Sequence, residues 1–260
     1  MQSCFLLRRN KGNPLYLSPF VDPRLSGSWS EDEAITWHAS TGLHTHEKDD
    51  AMITLYQQID RGVDRWIQDA RYIPRLMISA AVFLVTYFFL SLAVRDPIPV
   101  IDELLIASAL AVVTAVSLSK RDKQGDVAMK RRLVLKQQAS RCDFAIEEGL
   151  SIYEDFLDTC AHIDTIDLAE RLTLSGSAPL PELNVPEEQR GMWQSKIHEQ
   201  LIRHVQLTNK QLYKRFQMIL QERTNETGDE THAARLVKLS MQGQLDLPLL
   251  ALLVVTEKQN

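Results

Sequence analysis

The chain has 260 residues, of which 45% are hydrophobic and 24% are charged, and its formal net charge is -5. Three cysteines are too few for a disulfide-stabilised scaffold, and the mild net acidity gives no global basis for nucleic-acid binding. Ten glycines and ten prolines exclude a collagen-like or wholly low-complexity chain. These averages resemble those of a globular protein, so the distribution of residues along the chain is more informative.

The chain begins with a segment that lacks a sustained hydrophobic period. Residues 1–48 contain scattered Gly, Pro, Ser and His, and we predict that they are mostly disordered. In residues 49–72, apolar side chains recur at helical spacing and charged side chains occupy the other face. This pattern predicts an amphipathic juxtamembrane helix, with Trp66 and Tyr72 at the level of the lipid headgroups. A helix packed on the C-terminal domain explains the same pattern equally well.

The first candidate membrane helix is an uncharged run. Leu76 to Val94 contains 19 residues without a charge. A helix of that length spans about 28 Å, close to the roughly 30 Å hydrocarbon core of a bilayer. Soluble helices keep one polar face, which this run lacks. We therefore predict a transmembrane helix over residues 76–94.

A second, shorter apolar run extends from Leu104 to Ser119, and the preceding residues lengthen it to about 100–119. Pro97 and Pro99 lie in the connection, where they end the first helix and allow the second to begin. So short a connection requires two membrane helices to be antiparallel neighbours. We predict that residues 73–119 form a transmembrane hairpin.

Basic residues are concentrated on the two flanks of this predicted hairpin. Only Arg95 lies in the connection, whereas the flanks carry Arg61, Arg65, Arg71, Arg75, Lys120, Arg121, Lys123, Lys130, Arg131, Arg132 and Lys136. Cytoplasmic flanks of membrane helices are enriched in Lys and Arg. We therefore predict an integral membrane protein with both termini in the cytoplasm, in a plasma membrane or a bacterial inner membrane.

The segment that follows the hairpin is strongly basic. Residues 120–141 contain eight Lys or Arg against two Asp. Basic clusters beside a membrane attract anionic headgroups. The predicted headgroup contacts are Lys120, Arg121, Lys123, Lys130, Arg131 and Arg132. The ordinary positive-inside rule, without lipid specificity, accounts for the same residues.

Residues 120–260 are predicted to form a cytoplasmic helical domain. Residues 142–170 carry nine Asp or Glu and no Lys or Arg, whereas residues 190–223 carry seven Lys or Arg against two Glu. Both segments have apolar stripes at helical spacing, which predicts a coiled-coil-like antiparallel pair with Trp193 buried in it. The apolar segment 247–255 is too short to span a bilayer, so it is buried in the helical domain, in an oligomer interface or against the membrane, with the core as the default expectation.

The chain contains no glycine-rich phosphate loop, no HExxH motif and no CxxC pair. We therefore expect no enzymatic activity and no cofactor. The predicted fold is all-α, with a two-helix transmembrane hairpin and a helical cytoplasmic domain. The predicted function is a membrane-anchored scaffold that contacts the bilayer and a protein partner or a second copy of the chain, and no nucleic acid.

Two features of the second membrane helix bear on a possible transport function. Ala107, Ala111 and Ala115 recur every four residues, a spacing that favours close helix packing within the hairpin. Asp102 and Glu103 stand at the outer start of the helix, where carboxylates stabilise a helix N-terminus. In an oligomer the same carboxylates would form an acidic outer mouth that concentrates cations. The alternative function is therefore an oligomeric cation channel or transport component.

The order of cytoplasmic helix, membrane hairpin with an acidic outer turn, and second cytoplasmic helix resembles the layout of the mitochondrial calcium uniporter family. The resemblance is confined to this layout. Asp102 and Glu103 are adjacent here, so the Trp-Asp-x-x-Glu-Pro pore motif of that family is absent. The resemblance implies cation transport only as the alternative already named.

Overall fold

The computed structural model describes residues 2–28, 33–93, 101–173, 178–185, 193–208, 213–214, 217–218, 221, 230–243 and 245–258. The chain divides into two compact units. We name the first the sheet unit, which comprises Met1–Val21, Asp32–Leu55 and Ser140–Asn260. The second, the helical unit, comprises Asp22–Glu31 and Tyr56–Ala139.

A four-stranded mixed sheet lies in the sheet unit. Its strands are β1 (Gln2–Leu7), β2 (Leu15–Leu17), β3 (Ile35–Ala39) and β4 (Asp143–Ile146), in the order β2-β1-β3-β4. β1 is antiparallel to β2 and parallel to β3, and β3 is parallel to β4. Three of these strands lie within residues 1–48, so the predicted disorder was wrong there. The all-α prediction was wrong to the same extent, although most described elements are helical.

The burial of β1 and β3 explains why the sequence pattern did not indicate strands. Cys4, Phe5 and Leu6 are consecutive in β1 and all are fully buried. In β3, Trp37 and His38 are adjacent and both are buried. Strands covered on both faces lose the alternation of apolar and polar residues that marks a half-exposed strand. Such short runs carry no recognisable period in the sequence.

Helices account for most of the described chain. In chain order they are α1 (Pro23–Ser28), α2 (Thr45–Ala70), α3 (Tyr72–Ala93), α4 (Ile101–Gln124), α5 (Asp126–Ala139), α6 (Ser151–His162), α7 (Thr165–Thr173), α8 (Ser195–Thr208), α9 (Glu230–Met241) and α10 (Leu247–Lys258). α2 begins in the sheet unit and continues into the helical unit.

The carboxylate of Glu47 accepts the hydrogen bonds that fix the start of α2. The backbone N–H of His44 donates to Glu47 Oε2 at 2.9 Å, as in a capping box. Arg8, which follows β1, donates from Nε and Nη2 to the two oxygens of Glu47. The hydrogen bond from Arg8 lowers the pKa of Glu47 to about 2. The loop between β3 and α2 is therefore tied to the end of β1.

The apolar face of α2 is covered by protein. Ile59, Val63 and Ile67 are each at most 3% exposed. Protein covers this face, so the stripe does not lie on lipid; packing of residues 49–72 on the C-terminal domain stays a prediction. The helix begins at Thr45 and ends at Ala70, close to the predicted boundaries.

The core of the sheet unit is organised around α10. α6, α7 and α8 all pack against α10. Within α10, Ala251 and Leu252 are fully buried. This burial agrees with the predicted core position of residues 247–255, whose apolar side chains leave no polar face.

The predicted antiparallel pair of helices differs from the observed arrangement. Residues 142–170 form β4, a short 3-10 turn, α6 and most of α7 instead of one long helix. Asp164 accounts for one break, because its carboxylate accepts from the backbone N–H of Ile166 and so starts α7. α6 and α8 each make their main helix contacts with α10. Residues 190–192 and most of 209–223 lie outside the described residues.

Trp193 packs on the sheet instead of on an acidic helix. Its ring lies 5.6 Å from that of Phe5 in an edge-on arrangement and 4.5 Å from the ring of His38. His38 is 7% exposed, and its Nδ1 lies 3.6 Å from Glu147 Oε1. Burial, with a smaller contribution from the positive charge of Lys196, lowers the pKa of His38 to about 4. The histidine is therefore neutral near pH 7.

Candidate membrane-interaction site

α3 and α4 have the length and composition of membrane-spanning helices. Each contains an 18-residue apolar window, and only 6% of each window is buried within the protein. The large apolar side chains that stand exposed include Leu84, Val85, Phe88, Phe89, Leu92, Val112, Val113 and Val116. The helix in the core of a soluble protein is mostly buried, so this exposure is unusual for a core helix.

The two apolar helices pack side by side in opposite directions. Arg75, near the start of α3, lies 3.3 Å (Nε) from Asp122 Oδ2, near the end of α4. α3 and α4 contact each other over much of their length, and this ion pair fixes the contact as antiparallel. The predicted turn with Arg95, Pro97 and Pro99 lies outside the described residues.

The predicted small-residue stripe lies on a covered face of α4. Ala107 is fully buried, whereas Ala111 and Ala115 are half-buried. A methyl side chain at these positions allows a neighbouring helix to approach closely. The geometry is compatible with the predicted packing role of these alanines, which stays a prediction.

Two hydroxyl groups within the apolar helices bond to their own backbone. Ser79 Oγ donates to the carbonyl oxygen of Arg75, and Thr114 Oγ1 donates to that of Leu110, both at 2.8 Å. A hydroxyl satisfied by its own helix costs little in an apolar environment. These two hydroxyls are therefore satisfied without water, and their presence does not indicate a water-filled pore between the helices.

Asp102 and Glu103 lie in the first turn of α4, at the opposite end of the helix from Asp122. Asp102 is exposed and Glu103 is half-exposed, and neither forms an ion pair with any residue that the structure describes. Their position suits stabilisation of the helix N-terminus. The role as an acidic mouth stays a prediction.

At the other end of the hairpin, acidic residues of α2 face basic residues of α4 and α5. We call this set the ion-pair ladder. Asp60 Oδ2 lies 2.8 Å from Lys136 Nζ, and Asp64 pairs with Arg132. Asp64 Oδ2 also lies 3.7 Å from Lys123 Nζ. The earlier acid, Asp60, pairs with the later base, Lys136, and the later acid, Asp64, pairs with the earlier base, Arg132. Each of these two steps is one helical turn, so α2 and α5 run antiparallel.

The ion-pair ladder changes the assignment of the predicted headgroup contacts. Lys123 and Arg132 belong to the ladder. Arg131, another of the predicted headgroup contacts, also binds protein: its Nε donates to the carbonyl oxygen of Ser26 at 2.7 Å. Three of the six predicted lipid contacts are thus bound to protein atoms. The exposed candidates that remain are Lys120, Arg121 and Lys130.

The sequence contains a signal for the ion-pair ladder, but the signal joins two segments that are far apart in the chain. Asp60 and Asp64 are four residues apart, as are Arg132 and Lys136. Such matched spacing of opposite charges on two helices is typical of side chains that pair across an interface. Because Asp64 and Arg132 are 68 positions apart, the matched spacing of opposite charges is visible only when the two segments are compared with each other.

Comparisons with protein-family models, with curated proteins and with solved structures find no match. Within the described part of the chain, no group of three or more His, Cys, Asp or Glu is arranged to hold a metal ion. The exposed apolar helices and the charges at their two ends are therefore the features that bear on function.

Proposed function

We propose that this protein is a membrane-anchored, non-enzymatic scaffold. α3 and α4 cross the bilayer as an antiparallel hairpin, and the sheet unit is held in the cytoplasm, where it binds a protein partner or a second copy of the chain. The observation that carries the proposal is the exposed apolar surface of the two helices. In the 18-residue apolar window of each helix, only 6% is buried within the protein.

The size of the exposed side chains supports a lipid environment. Val85 is 69% exposed, Phe89 is 68% exposed and Leu92 is 84% exposed. Removing one such side chain from water gains about 1.5–3 kcal/mol. A bilayer removes all of them from water at once, and the helix backbone satisfies its own hydrogen bonds there.

The charges support one orientation. The antiparallel contact places the start of α3 and the end of α4 at the same end of the helix pair. That end carries the exposed residues Arg71, Lys120 and Arg121, whereas the first turn of α4 at the other end carries Asp102 and Glu103. The positive-inside rule therefore favours cytoplasmic placement of both flanks, and with them both termini.

The ion-pair ladder supports a scaffold. Asp60 and Asp64 connect the helix that leads into α3 with the helix that leaves α4. Each exposed pair contributes at most about 1 kcal/mol, so the pairs set register more than stability. A fixed register of the two helices gives a defined base from which a cytoplasmic unit can present an interaction surface.

Cysteine accessibility tests the topology. In a background with Cys4, Cys142 and Cys160 replaced by Ala, we expect an impermeant maleimide added to intact cells to label Asp102→Cys. We expect no labelling of Lys11→Cys or Glu257→Cys until the membrane is permeabilised. The three introduced positions are exposed in the structure, so differences in labelling report the side of the membrane.

The control for this experiment is labelling after denaturation, which should be equal for all three variants. Labelling of Lys11→Cys and Glu257→Cys in intact cells, with Asp102→Cys protected, would reverse the orientation. Recovery of the protein in the soluble fraction after carbonate washing would exclude the membrane anchor itself.

An oligomeric cation channel is the second candidate function, and the exposure of Asp102 favours it. A ring of such carboxylates at the outer end of several hairpins would concentrate cations. The hydroxyls of Ser79 and Thr114, which bond to their own helices, give the channel less support.

The double variant Asp102→Asn/Glu103→Gln distinguishes the two functions. If the carboxylates only stabilise the helix terminus, each contributes about 0.3–1 kcal/mol, and the variant should express and assemble normally. We expect purified wild-type protein in liposomes with a cation-sensitive dye to show no specific flux. A robust cation flux in the wild type that the double variant abolishes would replace the scaffold by the channel.

A further inference from the structure

The sheet unit contains a cavity that the membrane anchor does not use. Its volume is about 510 Å³, and it lies among the segment after β1, the turn between α6 and α7, and the start of α10. Its floor is apolar and includes Leu15, Cys160, Leu168 and Val205, each at most 6% exposed. Cavities of about 300–1,000 Å³ with an apolar lining and a few polar groups are typical of small-molecule sites.

Arg9 is the principal polar group in the lining. Its side chain is 10% exposed, and Nη1 and Nη2 donate to the two carboxylate oxygens of Asp246 at 2.5 and 2.9 Å. The third guanidinium nitrogen, Nε, is buried, and its N–H has no hydrogen-bond partner among the residues that the structure describes. Nε is closed to solvent, so Arg9 acts on a ligand in the cavity through its charge.

The charge of the lining favours an anion. Arg9 and Lys11 contribute two positive charges, and Asp246 contributes one negative charge. The Asp246 carboxylate also accepts from the backbone N–H of Leu249 at 3.4 Å, so it is committed to Arg9 and to the start of α10. His204 lines the same cavity.

The thiol in the floor is suited to packing against a ligand. Burial raises the pKa of Cys160 to about 12, so the group is a neutral thiol near pH 7. A neutral thiol is a poor nucleophile and behaves as a small apolar side chain. Cys160 therefore contributes an apolar surface to the cavity floor.

We propose that this cavity binds an organic monocarboxylate with an apolar body. The carboxylate pairs with Lys11 in the positive field of Arg9, while the apolar body lies on the floor formed by Leu15, Leu168 and Val205. The site would give the cytoplasmic unit a small-molecule ligand, independently of whether α3 and α4 anchor the protein in a membrane.

Two matched pairs of probes test the ligand class and its source. Naphthalene-2-carboxylate and naphthalene-2-methanol represent compact ligands, and dodecanoate and dodecanol represent fatty acids and their alcohols. Titration of the full chain in zwitterionic lipid nanodiscs, with empty nanodiscs subtracted, should show binding of at least one carboxylate at least tenfold tighter than its alcohol. The better carboxylate identifies a compact metabolite or a fatty acid as the source.

Three variants test the site itself. Lys11→Ala should weaken carboxylate binding about fivefold, the size expected for an exposed ion pair, and leave alcohol binding unchanged. Ala161→Phe should abolish binding because it places a ring in the cavity, of which Ala161 is a lining residue. Lys48→Ala, an exposed cation of the same unit outside the cavity, should have no effect.

Equal affinities for carboxylate and alcohol, no binding of either carboxylate, or unchanged carboxylate affinity in Lys11→Ala would overturn the proposal. If Ala161→Phe does not fold, the comparison of Lys11→Ala with Lys48→Ala still decides. Flotation of the protein with vesicles tests the membrane anchor separately, so failure of one proposal leaves the other open to its own test.

Discussion

Phe5→Ala should lower the free energy of unfolding of the sheet unit by about 3–5 kcal/mol, the usual cost of deleting a buried aromatic ring. Phe5 lies in β1, is fully buried, and its ring centre is 5.6 Å from the rings of both His38 and Trp193. The variant leaves a cavity beneath the sheet that the strands on either side cannot close. Denaturant unfolding of the full chain in nanodiscs, followed by tryptophan fluorescence, measures the change.

Ile53→Ala provides the matched control, because Ile53 belongs to the same unit and is 55% exposed. Its free energy of unfolding should change by at most about 0.5 kcal/mol. A Phe5→Ala protein as stable as this control would mean that residues 1–48 do not contribute a folded strand, as the sequence alone predicted.

Acidification from pH 7 to pH 4.5 should cost the sheet unit about 2 kcal/mol through His38 alone. The pKa of His38 is about 4 in the folded protein, against 6.5 for an ordinary histidine. Between pH 6.5 and pH 4, His38 is protonated in the unfolded chain but neutral in the folded protein. The free energy of unfolding therefore falls as the pH drops through this range. Glu147, 3.6 Å away, faces the ring, and Lys196 opposes its protonation.

His38→Gln should remove this part of the pH dependence, although it can lower stability at every pH by loosening the contact with Trp193. His162→Gln, at an exposed position, should leave the pH dependence unchanged. Denaturant midpoints between pH 7 and pH 5 give the comparison in a range where Glu47, with its pKa near 2, stays ionised in the folded protein. A wild-type slope retained in His38→Gln would show that another group is responsible.

The sequence predicted the apolar helices well because their signal is local. A run such as Leu76 to Val94 has no charge to place in water, and its length alone matches a bilayer. The burial of α10 was predictable for the same reason. β1 and β3 gave no comparable signal, since burial on both faces removes alternation and a parallel pair needs a partner from a distant part of the chain.

The polar interactions of the two sites depend on residues far apart in the chain. Arg9 meets Asp246 across 237 positions, and Lys136 meets Asp60 across 76. Composition and spacing indicated that residues 120–141 are basic, but not which cations are paired. The distinction between the paired Arg132 and the exposed Lys120 required the fold.

The parallel pairing of β3 with β4 sets an order for biosynthesis. The segment that connects the two strands, residues 40–142, includes both α3 and α4. A nascent chain can pair β1 with β3 early, but β4 emerges from the ribosome only after both apolar helices. On the proposed topology, the hairpin meets the translocation machinery before the sheet can be completed. A chain that stops before Asp143 would therefore carry the anchor with an unfinished sheet, whose open β3 edge can pair with a strand of another chain.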